Sequence, residues 1–349
     1  MGVQEELIET ARAMVAPGKG ILAADESSGT IKNRFDAIGV ESTEQNRRDY
    51  RELLFRTQGA KEFISGVILY DETIRQKAAD GSQLVDVLRN QGMIPGIKVD
   101  AGTVALPGSP NELVTQGLDG LRERFAEYKT LGAKFSKWRA VIKIGDGIPT
   151  DYCIQANAQA LARYAALSQE AGIVPMVEPE VLLDGDHTIE ACYDASVATL
   201  RALFNELERH RVLLEGTILK TNMSLSGNKA SNRAPASEVA RLTVDAFFQS
   251  VPAAVPGIVF LSGGMPDDEA TINLDAVARE AQKRGNCPWE ISFSYGRGLQ
   301  GAPQKAWSGK AENVKAAQAA YYHRAKVTSA ARKGVYSPEM EKEIAVAAS

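Results

Sequence analysis

Residues 135–182 read FSKWRAVIKI-GDGIPT-DYCIQANAQALARYAALSQE-AG-IVPMVEPEVL. A short β-branched run (135–144) is followed by helical periodicity over 152–171. A second such run then covers 173–182. Runs rich in Val and Ile on either side of a helical stretch indicate a strand–helix–strand unit and a parallel sheet.

The same unit recurs in both directions. Eight runs fit it: 20–25 (GILAAD), 63–70 (FISGVILY), 94–100 (IPGIKVD), 135–144, 173–182, 216–223 (GTILKTNM), 257–264 (GIVFLSGG) and 289–296 (WEISFSYG). Further helical periodicity covers 188–211, 237–250 and 274–284. Eight units in roughly 275 residues suit a single (β/α)8 (TIM) barrel. The rival doubly wound sheet would carry G-x-G-x-x-G after its first strand, but 25–30 read DESSGT. Length alone, 349 residues at about 150 per domain, suggests two domains. The repeat instead uses that length in one barrel domain over 1–332. This domain includes an N-terminal helix, an alanine-rich helical extension over 311–332, and then a mobile tail over 333–349.

Composition excludes several classes. Net charge is −4, which gives no bulk basic footprint for nucleic acid. No apolar run approaches the roughly 18 residues of a membrane span. The N-terminus lacks a basic region and an apolar core, so the expected compartment is the cytoplasm. Three cysteines (Cys153, Cys192, Cys287) read as packing residues rather than a disulfide framework. Three scattered histidines leave little from which to build a transition-metal site, and no metal or cofactor is expected. His187, in LDGDHT, reads as a surface or capping residue, and Trp307, Tyr321 and Tyr322 as packing or interface residues.

Charges inside apolar strand runs carry the chemistry, because an unpaired buried charge is costly. Such charges are Asp25, Lys98, Lys137 with Arg139, Glu178 with Glu180, and Lys220; Asp25, Lys98, Glu178, Glu180 and Lys220 fall in the C-terminal halves of their runs, where barrel active sites are built. Side-chain alternation puts Lys137 and Arg139 on one face of their strand, and Glu178 and Glu180 on one face of theirs. The plain alternative is an ion-pair network filling the barrel. A lysine in apolar surroundings near another cation has a depressed pKa and becomes an amine able to attack a carbonyl. Lys220 near Lys137 fits that pattern, with Lys98 and Lys137 as rivals. Two neighbouring carboxylates split their pKa values, so Glu178 and Glu180 suit acid/base work. Ser262-Gly263-Gly264 and Ser294-Tyr295-Gly296-Arg297 follow the seventh and eighth runs, the loops that frequently hold phosphate in barrels. A second anion site is suggested by Lys98 with Ser27, Thr30 and Arg34.

These motifs carry a resemblance. From about Gly18 to about Lys310 the chain resembles class I, Schiff-base-forming fructose-bisphosphate aldolases, in GKGILAADES, LYDETIRQ, GIKVD, KWRAVIKI, VEPEVLLDGDH, LEGTILK, FLSGGM and FSYGRGLQ. The resemblance implies reversible cleavage of fructose 1,6-bisphosphate, with Lys220 forming the Schiff base at the C2 ketone. It implies Glu178 as general acid/base with Glu180 beside it, and Asp25 as the base at the C4 hydroxyl. Lys137 and Arg139 become the cations that tune the lysine and hold substrate. Ser262, Gly263, Gly264, Ser294, Gly296 and Arg297 become the C1-phosphate site. Thr30 and Arg34 match substrate contacts, and Lys98 and Ser27 match the other phosphate site. The partner implied is a small phosphorylated sugar, and the assembly a homotetramer. Sedoheptulose 1,7-bisphosphate or fructose 1-phosphate as main substrate, and a non-catalytic scaffold role, stay as alternatives. Two departures stand out. Thr30 replaces a common Ser, and the chain ends Ala347-Ala348-Ser349, where animal relatives end in a tyrosine that assists enamine protonation. Tyr336, the last tyrosine, either reaches the site or leaves that proton to another group or to water.

Overall fold

The computed structural model describes residues 2–342. Its strands are β1 (Gly20–Ala24), β2 (Ile64–Leu69), β3 (Ile94–Lys98), β4 (Phe135–Ile142), β5 (Val174–Val181), β6 (Ile218–Thr221), β7 (Gly257–Phe260) and β8 (Glu290–Tyr295). They close into a barrel in the order β1-β8-β7-β6-β5-β4-β3-β2. Every neighbouring pair is parallel. All eight expected runs are therefore strands of one closed (β/α)8 barrel.

The strands are buried on both faces, as parallel strands covered by helices must be. Outside the barrel, one large apolar cluster joins the strands to the surrounding helices. Inside, the Phe135 ring fills the space left by a glycine, since a Cβ at Gly96 would fall within 2.5 Å of it. On the outer face, a Cβ at Gly20 would fall within 2.5 Å of the Phe293 ring. The N-terminal helix Val3–Met14 closes the lower mouth, because its Leu7, Ala11 and Met14 pack with Ile21, Met176 and Val259. That end of the barrel is plugged, and the mouth at the strands' C-terminal ends is open.

Helix starts follow local capping chemistry. Thr150 caps Asp151–Glu170 by accepting from Cys153 N at 3.1 Å. Thr188 caps Ile189–Arg209 by accepting from Ala191 N at 3.3 Å. His187, expected at the surface or as a cap, is instead buried, and burial pushes its pKa down. Cys153 and Cys192 are buried and unpaired. Trp307 packs on Tyr50 with ring centroids 5.2 Å apart.

Two features extend the expected plan. An antiparallel hairpin, Thr103–Leu106 with Ser109–Thr115, leaves the barrel after β3. At the other end, the helix Val314–Arg332 leads into a docked segment. There Tyr336 is buried, with its N–H on Asp275 Oδ1 at 2.9 Å. Glu341 accepts two hydrogen bonds from Arg324, at 2.7 and 2.8 Å. The rest of the expected tail, residues 343–349, lies outside the described residues.

Candidate active site

The open mouth holds a cavity of about 710 Å³. Its lining includes all sixteen residues singled out from the sequence: Asp25, Ser27, Thr30, Arg34, Lys98, Lys137, Arg139, Glu178, Glu180, Lys220, Ser262, Gly263, Gly264, Ser294, Gly296 and Arg297. Register explains part of this convergence. Lys98 on β3 lies beside Lys137 on β4, and Arg139 lies beside Glu178 on β5. Alternation then turns Lys137, Arg139, Glu178 and Glu180 inward. Trp138 turns outward and stacks on Tyr164, with centroids 5.5 Å apart.

At the cavity floor lies a chain of charges. Lys220 Nζ is 3.1 Å from Glu178 Oε1. Glu178 Oε2 is 3.1 Å from Lys137 Nζ, which is itself 2.7 Å from Asp25 Oδ2. All four side chains are nearly excluded from water. The apolar surroundings expected for Lys220 are thus replaced by a buried carboxylate shared with Lys137. Sequence could not show this, because Glu178 comes from the adjacent strand.

Burial alone would raise the pKa of every carboxyl here, but charge decides each case differently. Burial opposes ionisation of Asp25, yet Lys137, Lys220 and Lys98 hold its carboxyl far below the usual carboxylate range. Glu178 shows the same balance and is also lowered, by Lys137, Lys220 and Arg139. For Glu180, burial outweighs the Arg139 pair and the nearby Glu178 charge adds to it, so its pKa is raised. The two glutamates are thus shifted in opposite directions, Glu178 down and Glu180 up. Lys137 is held as an ammonium well above the ordinary lysine value; Asp25 and Glu178 outweigh its burial.

The upper wall is an anion cradle. Gly263 and Gly264 have φ of +45° and +93°, a left-handed backbone that glycine adopts at little cost. Arg297 reaches over this turn, since a Cβ at 264 would lie 3.5 Å from its Nη2. Gly296 precedes the helix Arg297–Trp307, whose first N–H groups open on the same side. Ser294 Oγ is buried without a hydrogen-bond partner, which suits a ligand oxygen. Opposite, Ser27 caps the helix Ser28–Asp36, and its Oγ lies 3.1 Å from Thr30 Oγ1. Lys98 Nζ stands 3.5 Å from Asp100. Arg34 departs from the expected grouping with Lys98. It pairs with Glu26, and a Cβ at 296 would lie 3.7 Å from its Nη2, so it leans toward the β8 loop.

Several lining residues escaped the sequence reading, among them Glu26, Asp100, Thr103 and Asp184. Asp100 accepts from Gly102 N at 3.2 Å and Arg139 N at 3.4 Å, tying the hairpin to β4. Its signal was present, a carboxylate closing IPGIKVD two residues after Lys98. The hairpin also had a signal, Pro107-Gly108 between two β-prone runs. Tyr336 does not line the cavity, and its hydroxyl lies 3.4 Å from Glu341 Oε1. Among the described residues, no group of three or more His, Cys, Asp or Glu is arranged to hold a metal ion. No helix among them is long and apolar enough to cross a membrane.

A closed (β/α)8 barrel with a buried lysine set among carboxylates, beneath a glycine-lined anion cradle, has the architecture of a barrel enzyme with its site at the strands' C-terminal ends. Comparison with known proteins narrows this. The chain belongs to the class-I fructose-bisphosphate aldolase family, whose pattern it matches over residues 6–349. It is 56% identical over 331 residues to a "Probable fructose-bisphosphate aldolase class 1" of Xanthomonas campestris, covering 95% of this chain and 98% of that one. It is 51% identical to "Fructose-bisphosphate aldolase 4, cytosolic" of Arabidopsis thaliana, covering 96% of this chain and 85% of that one. Among solved structures, it superposes on a fructose-bisphosphate aldolase from Plasmodium falciparum, crystallised in a ternary complex with TRAP and a small-molecule inhibitor. The TM-score is 0.93, with 47% identity and 96% of each chain covered. Class I aldolases are carbon–carbon lyases of glycolysis, and this chain is one of them.

Proposed function

We propose that this chain splits fructose 1,6-bisphosphate reversibly into dihydroxyacetone phosphate and glyceraldehyde 3-phosphate, with Lys220 as the amine that captures the ketone. The observation that carries this reading is the contact chain Lys220–Glu178–Lys137–Asp25. Glu178, ionised between two ammonium groups, takes a proton from Lys220 and frees the amine. The amine adds to C2, and the same proton returns to the carbinolamine hydroxyl, which leaves as water. The resulting iminium is a better electron sink than the ketone. Asp25, held ionised, then takes the C4 hydroxyl proton. The C3–C4 bond breaks, its electrons pass to the iminium, and the aldehyde departs. The enamine is protonated at C3, and water hydrolyses the imine to restore Lys220. Lys137 remains an ammonium throughout and holds Glu178 and Asp25 ionised until each takes its proton. Glu180 stands beside Glu178 and pairs with Arg139.

One phosphate fits Ser262, Gly263, Gly264, Ser294, Gly296 and Arg297, with Arg34 alongside. The other fits Lys98, Ser27 and Thr30. One barrel domain over 1–332, a homotetramer and a cytoplasmic location complete the proposal, the last two carried by the family resemblance and by relatives named as cytosolic.

The test pairs a chelator with one variant. The wild-type protein keeps its cleavage rate in EDTA. Asp25→Asn still forms an imine with dihydroxyacetone phosphate, while cleavage falls roughly 10²–10⁴-fold, the usual worth of a positioned base. Activity lost in EDTA and restored by zinc, or full cleavage by Asp25→Asn, overturns the scheme.

A further inference from the structure

Gln300 closes the motif FSYGRGLQ (293–300), yet it is fully buried and does not line the cavity. It sits in the first turn of the helix Arg297–Trp307, directly behind the anion cradle. Its Nε2 donates to Ala23 O and to Glu26 Oε1, each at 2.7 Å. Both partners are acceptors, so the amide nitrogen, not its oxygen, must face them. Ala23 lies two residues before Asp25, and Glu26 follows it directly. The same Glu26 Oε1 accepts from Arg34 Nη1, the cation that leans toward Gly296. Glu26 is 7% exposed, and its carbonyl accepts from Arg51 Nη2 at 2.8 Å.

From this bridge we propose that Gln300 is a positioning residue for the aldol reaction. Acting through Glu26, it holds Arg34 against the β8 loop. The inference rests on the reading above that Arg34 holds a substrate phosphate. Gln300→Met keeps the shape and removes both donors. The Ala23 carbonyl then loses its side-chain donor, and the Glu26–Arg34 pair is free to swing. Misplacing a binding group by a fraction of an ångström to one ångström commonly costs one to two powers of ten, so KM for fructose 1,6-bisphosphate is expected to rise about tenfold.

KM does not depend on the amount of active enzyme, so unfolded protein does not enter it, and kcat is expressed per site titrated by borohydride with dihydroxyacetone phosphate. A merely structural Gln300 would lower Tm and the number of titratable sites and leave the KM of the remaining sites unchanged. The deciding measurement is a double-mutant cycle with Arg34→Ala. Because Gln300 acts through Arg34, the double variant's KM should stay within about twofold of that of Arg34→Ala alone. KM effects that multiply, or an unchanged KM in Gln300→Met, overturn the positioning role and leave the phosphate reading intact. If Arg34→Ala by itself leaves KM unchanged, the phosphate reading fails and the positioning role fails with it. Should Gln300→Met not fold, Gln300→Asn carries the same cycle, since its shorter amide loses the reach to Ala23 and Glu26.

Discussion

Asp25 is the residue whose state depends most on its neighbours. Burial would keep it neutral, and three lysines keep it ionised. Because its folded pKa lies below the unfolded value, its ionisation stabilises the fold at neutral pH. That contribution is lost as pH falls through the ordinary carboxylate range toward the folded value. Urea unfolding of wild type and Asp25→Asn should therefore show wild type more stable by about 2 kcal/mol at pH 7, with the gap closing toward pH 3. A gap that stays constant, or opens in acid, contradicts the assignment. At this scale the sequence was informative about residue type and less so about partners. Charged residues at the ends of apolar runs marked Lys220, Lys137 and Glu178. That one carboxylate sits between two lysines depends on strand register, which composition does not encode. Arg34 was grouped with Lys98 for want of knowing that Glu26 turns it toward Gly296. His187 misled because a polar-looking loop, LDGDHT, is covered by its own neighbours.

Strands were the most legible elements. Each lies inside its expected run, because a parallel strand buried on both faces must be continuously apolar and β-branched. The hairpin at Thr103–Thr115 was missed because its second strand carries Asn111 and Glu112, which break the β-branched pattern. The anion cradle depends on an element of only two residues. At Gly263 φ is +45°, and a Cβ would fall 2.5 Å from Leu261 Cδ1. Gly263→Ala adds left-handed strain of 1–2 kcal/mol to the turn, so the affinity for inorganic phosphate as a competitive inhibitor should fall roughly tenfold. The KM for fructose 1,6-bisphosphate should rise in parallel, with a smaller change in kcat. Unchanged phosphate inhibition would remove this loop from the anion site.

At the scale of the whole molecule, the net charge of −4 hides a concentration of charge at one barrel mouth, where Arg34, Lys98, Lys137, Arg139, Lys220 and Arg297 converge with an equal number of carboxylates. The N-terminal helix plugs the other mouth, so chemistry is confined to one end. The barrel itself was legible because eight similar units leave few alternative closures. The docking of Tyr336 was not, since it depends on Asp275, from a helix 61 residues away in sequence. The account's central claim is that Lys220 forms the covalent intermediate. Sodium borohydride added to the active protein with dihydroxyacetone phosphate should reduce one imine per chain, and peptide mass mapping should place the label on Lys220. A label on Lys98 or Lys137, or no label while cleavage proceeds, would contradict it.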